Sequence, residues 1–298
     1  MRSFPERTMD EEILFHRRKR SIRWPEIAGA RLRPGTVGRR DRTGMGDALV
    51  MDLRKGFFAV SDSSNRNPAA SRDFLLKFSG ALDRFRSLDP GEIFTLEDLR
   101  NIRDRVIRKS EDVLNAIPYT ASCTFTGVLL VKTPAGTRGI LWHMGDSLLV
   151  QVNVKTAEVK QLTTNNFWMA GRSKRFFQVN ELEIPPEAIL IIATDGISDL
   201  NRAGGSSRDE LLIQQAVCHP VEEIPDRLAD AIDMHGMETD DIALISLCPA
   251  RLRFFETRIV LGGTREEDEP LRPERCDPGF DEDKYVPLRT CASQEQAL

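Results

Sequence analysis

Seven short runs of branched and aromatic residues, Ala48–Leu53, Gly56–Ser61, Phe125–Lys132, Gly139–Met144, Leu148–Val154, Ala188–Thr194 and Ile242–Leu247, limit most strongly what this chain can fold into. Each is too short for a stable isolated helix and is flanked by turn residues, the pattern of strands with buried faces. Between the second and third runs the period changes. Phe74, Leu75, Phe78, Leu82 and Phe85, then Leu96, Leu99, Ile102 and Val106, with Val113, Leu114 and Ile117 following, predict two amphipathic helices. The first is expected to start near Asn67-Pro68, and the second carries Thr95-Leu-Glu-Asp98, a capping box. A later helix has Ile224, Leu228 and Ile232 on one face. Hairpin-type turns such as Pro134-Ala-Gly136 favour antiparallel pairing. Helices grouped between strand runs favour a layered α+β sandwich over a regular βαβ alternation.

The 298 residues carry 42 Lys and Arg against 46 Asp and Glu, so the net charge of −4 gives no warrant for nucleic-acid binding. Charge is nonetheless uneven. Arg17-Arg18-Lys19-Arg20 lies near the start, and Glu266-Glu267-Asp268-Glu269 and Asp281-Glu282-Asp283 lie near the end. Residues 1–38 are expected to form a basic arm and 39–260 the folded domain. Residues 261–298 are expected to be an acidic, disordered tail too poor in apolar surface to fold alone. The charged termini are the places where a regulatory partner would dock. The longest apolar stretches, Gly127–Val131 and Ile189–Ala193, are far too short to span a bilayer, and no membrane association is expected. The first residues lack an apolar signal core, and five scattered cysteines without a C-x-x-C pair suggest a reducing cytoplasm. Nothing in the sequence determines the oligomeric state.

Acidic residues recur at strand ends, where a rigid scaffold can aim side chains into a cleft. Asp47 precedes one run, Asp62 ends another, Asp146 lies in a turn between two, Asp195 ends the most hydrophobic run, and Asp240 and Asp241 stand before the last. A single such Asp is ordinarily a turn or cap residue. Several that converge would repel one another unless cations neutralise them, and oxygen-only ligands select hard ions such as Mg²⁺ or Mn²⁺.

At these positions the chain resembles the metal-dependent (PPM-type, type 2C) Ser/Thr protein phosphatases, in particular the bacterial members. The resemblance rests on Phe57-Phe-Ala-Val-Ser-Asp62, Ala121-Ser-Cys-Thr124, Gly145-Asp-Ser147, Thr194-Asp-Gly196 and Gly236-Met-Glu-Thr-Asp-Asp-Ile242, in that order. It implies a four-layer α/β/β/α sandwich with two central antiparallel sheets flanked by helix pairs. It also implies that Asp62, Asp195 and Asp240 ligate two Mn²⁺ or Mg²⁺ ions, Asp62 bridging them, with the Ser63 carbonyl as a further ligand. Asp146 would serve a third, weaker ion, Asp47 would hold a metal-bound water, and Arg42 would bind the phosphate. The implied reaction is hydrolysis of a phosphoprotein monoester by a hydroxide bridging the two ions, with no protein nucleophile.

The chain departs from the family pattern where Gly46 replaces a Glu and where Ser63 and Ser64 replace a Gly and a His proposed as general acid. A turn needing φ > 0 would be strained at Ser63, and loss of the acid would remove a 10²–10⁴-fold contribution. These departures motivate an alternative: a catalytically weak or inactive pseudophosphatase that binds a phosphoprotein or another partner. Whether Asp240 or Asp241 is the ligand stays open on sequence alone. So does the role of the basic and aromatic loop within Thr163–Asn180, which either meets a phosphoprotein or is merely partly packed. Cys123 reads as a buried thiol and Trp142 and His143 as packing residues, while His219 and His235 lack a partner at metal spacing.

Overall fold

The computed structural model describes residues 21–36, 45–63, 67–83, 93–202, 207–233, 239–253 and 255–264. Twelve strands form two antiparallel sheets among these residues. The first has the order β1 (Ser21–Trp24), β2 (Ala28–Arg33), β11 (Ile242–Leu247), β10 (Ala188–Ala193), β7 (Leu148–Asn153), β8 (Glu158–Gln161). The second runs β12 (Arg258–Thr264), β3 (Met45–Asp52), β4 (Phe57–Ser61), β5 (Phe125–Thr133), β6 (Gly136–Met144), β9 (Gln178–Glu183). Helices α1 (Ala69–Asp83) and α2 (Leu96–Asn115) cover the second sheet, and α3 (Arg208–Cys218) and α4 (Ile224–Asp233) cover the first. The result is the expected α/β/β/α sandwich.

The period of two along each strand explains why these layers stack. In β3 and β4, Leu49, Met51, Phe58 and Val60 point into the space between the sheets, where they meet Ala30, Leu32, Leu190, Ile192 and Ile245. Their alternates Ala48, Val50, Phe57 and Ala59 face α1 and α2. A sheet covered on both faces needs strands that are apolar on both, which is why Ala188–Ala193 is buried along its whole length. On α1, Phe74, Leu75, Phe78 and Leu82 fill the helix–sheet layer; Phe85 lies outside the described residues. Thr95 caps α2 in the capping box read from the sequence.

Both expected edges of the folded domain are displaced. β1 and β2 lie within residues 1–38, and β2 pairs along its length with β11, so residues 21–33 belong to the sandwich and not to an arm. Arg33 can be buried there because its guanidinium meets Asp233 and Thr239. At the other edge β12 runs to Thr264, past residue 260, paired with β3. Residues 1–20 and 265–298 lie outside the described residues, as do Arg42, Ser64 and His235.

Candidate metal centre

The registers carry the candidate aspartates to one end of both sheets. β3 and β4 pair Ala48 with Ser61, so Asp47 at the start of one and Asp62 just past the other are neighbours. β10 pairs Ala193 with Leu148 and with Leu244, which brings Asp195, the turn holding Asp146 and the residues before β11 to the same rim. Asp146 sits where the chain crosses from the second sheet to the first, between β6 and β7.

The carboxyls lie within electrostatic reach of one another. The Asp62 carboxyl is pushed up to about 7, first by burial and then by the charges of Asp195, Asp240 and Asp146, against the lowering effect of a hydrogen bond with Asp47. Asp195 is raised to about 6 by burial, then by Asp146 and Asp240. Asp47 is raised well above the ordinary carboxylate range by complete burial and by the charges of Asp62 and Asp241. Six aspartates from both sheets, Asp47, Asp62, Asp146, Asp195, Asp240 and Asp241, therefore lie within electrostatic reach of at least one other. Such a set is costly as it stands and is relieved by a cation.

Hydrogen bonds fix the carriers of these groups. Thr194 donates to Asp47 Oδ2 at 2.5 Å while its hydroxyl accepts the Ala243 N–H, tying the first sheet to the second. The Asp62 N–H donates to Thr124 Oγ1 at 3.0 Å, and that hydroxyl also meets Ser147 Oγ at 2.8 Å, so the turns bearing Asp62 and Asp146 are joined. Asp240 Oδ1 accepts the Asp241 N–H, and the Asp240 N–H donates to Asp199 Oδ2 at 3.2 Å. Asp199 was not singled out from the sequence; the signal was its place four residues after Asp195.

Adjacent in sequence, Asp240 and Asp241 have different surroundings. Asp240 is exposed at the rim, whereas Asp241 is buried with both oxygens taken by backbone N–H groups, those of Gly35 and Gly46. The strain expected at Ser63 is absent, because among the described non-glycine residues only Glu26 and Ala157 have positive φ. Ser63 is buried, and its hydroxyl donates to the carbonyls of Gly46 at 3.0 Å and Pro68 at 3.1 Å, fastening the turn after Asp62 to β3 and to the start of α1.

His143 is fully enclosed, with Nδ1 accepting from Thr126 at 2.8 Å and Nε2 donating to the Thr164 carbonyl at 3.0 Å; burial lowers its basicity. Cys123 is buried too and its thiol is pushed up to about 12, chiefly by that burial, so it is inert at neutral pH. The loop from Leu162 to Phe177 is attached to the cluster: Asn166 exchanges hydrogen bonds with Gly145, and the Ala170 N–H donates to the Cys123 carbonyl. It exposes Phe167, Trp168 and Phe177, and Arg172 lies 5.2 Å from the Tyr119 ring centroid.

Whether the residues suit divalent ions is decided by their donor chemistry. The candidate ligands Asp47, Asp62, Asp146, Asp195 and Asp240 are all carboxylates, the donors that hard cations take, and their repulsion is what a cation removes. Among the described residues, no three His, Cys, Asp or Glu side chains are already gathered as tightly as a bound ion requires. The fit is thus one of donor type and shared charge.

The family model described as Stage II sporulation protein E (SpoIIE) matches residues 86–249. No curated protein matches the chain by sequence. Among solved structures, the PPM Ser/Thr phosphatase MsPP from Mycobacterium smegmatis, in complex with cacodylate, superposes with a TM-score of 0.54 at 17% identity, covering 74% of this chain and 97% of that one. The catalytic domain of the phosphatase PstP, in complex with two manganese ions, gives a TM-score of 0.53 at 20% identity over 74% and 96%. The phosphatase domain of SpoIIE from Bacillus subtilis, with a fragment of its regulatory domain, gives 0.53 at 15% over 74% and 63%. These likenesses show the fold.

Proposed function

We propose that this chain, which belongs to the stage II sporulation protein E (SpoIIE) family, is a metal-dependent phosphatase that hydrolyses phosphoserine or phosphothreonine monoesters in proteins. The observation that carries the reading is the convergence of aspartates from two sheets on one rim, where burial and neighbouring carboxylates raise both Asp62 and Asp195, a repulsion that bound cations would relieve. Asp62, Asp195 and Asp240 would hold two Mn²⁺ or Mg²⁺ ions, with the Ser63 carbonyl beside them, Asp146 serving a third ion and Asp47 orienting water; the two manganese ions in PstP support this reading. When bound, such ions supply an acidified water as nucleophile and neutralise the phosphoryl oxygens.

The chain's own residues do the holding and aiming. Thr124 and Ser147 keep the Asp62 and Asp146 turns at a fixed separation, and Thr194 keeps the Asp47 carboxylate turned inward. Arg42 would meet the phosphate. The exposed aromatic and cationic side chains of the 162–177 loop are anchored on the Asp146 turn, where the polypeptide around a phosphoresidue would pass.

The test is initial-rate hydrolysis of p-nitrophenyl phosphate by the purified full chain, with Mn²⁺ titrated and EDTA as the blank, beside Asp195→Asn. Metal-dependent turnover that the substitution abolishes is the expected result; equal rates in the two proteins would remove the proposed centre. A partner-binding module without turnover is the second reading, favoured by the engagement of both His143 ring nitrogens in the core, which leaves that imidazole no proton to deliver. A folded wild type that binds Mn²⁺ but turns nothing over would select it.

A further inference from the structure

Asp241 touches the residues next to two candidate ligands, Asp47 and Asp195, and directly follows a third, Asp240. Its Oδ1 accepts the Gly35 N–H at 2.6 Å and its Oδ2 accepts the Gly46 N–H at 3.0 Å; Gly35 follows β2 in one sheet and Gly46 lies in β3 of the other. Gly46 immediately precedes Asp47. On the other side, a Cβ added to Gly196 would stand 2.2 Å from the Asp241 carbonyl oxygen, so the residue after Asp195 is pressed against the Asp241 backbone. A Cβ on Gly35 would lie 2.5 Å from both the Thr239 oxygen and the Asp240 carbonyl carbon. The contact is closed further by Thr36, whose N–H donates to the Thr239 carbonyl at 3.0 Å and whose hydroxyl accepts the Thr239 N–H at 2.9 Å.

We propose that Asp241 is the positioning residue of the metal centre: it sets the spacing of Asp47, Asp195 and Asp240, which come from different sheets, because it holds the residue before Asp47, packs against the residue after Asp195 and directly follows Asp240. The inference rests on reading those three aspartates as ligands. A carboxylate is required because the two N–H donors address two different oxygens. An amide offers one acceptor and turns its NH₂ against the other donor, leaving a buried N–H without a partner.

Asp241→Asn is therefore the informative substitution, similar in shape and short of one bond. Residues that orient ligands typically cost 10–100-fold in metal affinity when changed. Calorimetric titration of the metal-free full chain with Mn²⁺ is expected to show at least a 10-fold weaker affinity in the variant, with faster amide exchange at Gly35 or Gly46. The control is Ser246→Ala on the same strand, which removes a buried hydroxyl bonded to the Val221 carbonyl. It lowers the melting temperature and leaves both readouts at wild-type values. An Asp241→Asn protein that binds Mn²⁺ as tightly as wild type, with both glycine amides still protected, overturns the proposal alone. A wild type that binds no Mn²⁺ overturns the ligand reading and the proposal with it.

Discussion

Replacing Asp62 by Asn should make the metal-free protein more stable while destroying the proposed phosphatase activity. In the folded chain the Asp62 carboxyl titrates near 7 instead of 3.8. At about 1.36 kcal/mol per tenfold change in proton affinity, ionising it in place costs roughly 4 kcal/mol at pH 8. The sign follows from proton counting. Between about pH 4 and 7 the unfolded chain has released this proton and the folded chain retains it, so stability falls as pH rises through that window and is level above it. Part of the cost is shared with Asp47 and Asp195, so relief of about 2–4 kcal/mol is expected, or roughly 5–15 °C in melting temperature for a domain of this size. Thermal unfolding in EDTA at pH 5 and pH 8 measures it. Wild type should melt lower at pH 8 than at pH 5, and Asp62→Asn should close most of the gap. Mn²⁺ at 1,000 times Kd should reverse the order, since it adds about 4.1 kcal/mol to a protein that binds it. A variant melting below wild type at pH 8 in EDTA, or a wild type indifferent to pH, would refute the account of the cluster.

Three further outcomes are expected. Phe78 packs on Phe57, Phe74, Phe125, Trp142 and Phe176 with ring centroids 4.7–6.0 Å apart, so Phe78→Ala should cost about 3–5 kcal/mol in denaturant unfolding. In native protein, iodoacetamide should label exposed Cys218 and spare Cys123, whose peptide should be modified only after unfolding. With His143 locked in the core, aryl phosphates, whose leaving group needs little protonation, should be hydrolysed well relative to phosphoserine peptides; equal or faster peptide turnover would show that another group donates the proton.

The strands legible in the sequence are those whose apolar character is their own. β3–β7, β10 and β11 were readable as branched runs, and α1, α2 and α4 as periodic faces. β2, Ala28-Gly-Ala-Arg-Leu-Arg33, was not, because its burial depends on pairing with β11 and on the Asp233 and Thr239 partners of Arg33, about 200 residues away. β9 and β12 were hidden for similar reasons, one by alternating charge at a sheet edge and the other by its Gly262-Gly263 irregularity. Helix α3 did carry a signal that was overlooked, the capping box Ser207-x-x-Glu210. At the site, the aspartates were visible as strand-end residues, but the different surroundings of Asp240 and Asp241 depend on Gly35 and Gly46, which no local pattern connects to them.

Because Asp47 and Asp62 ride on one sheet and Asp195 and Asp240 on the other, the candidate centre is a rivet through two plates. Any slip of one plate over the other changes the carboxylate separations ångström for ångström, and misplacement of about 1 Å can cost a hundredfold in rate. A protein pulling on either outer pair of helices would thus have leverage over the proposed reaction from the faces of the sandwich, away from the rim that carries the aspartates.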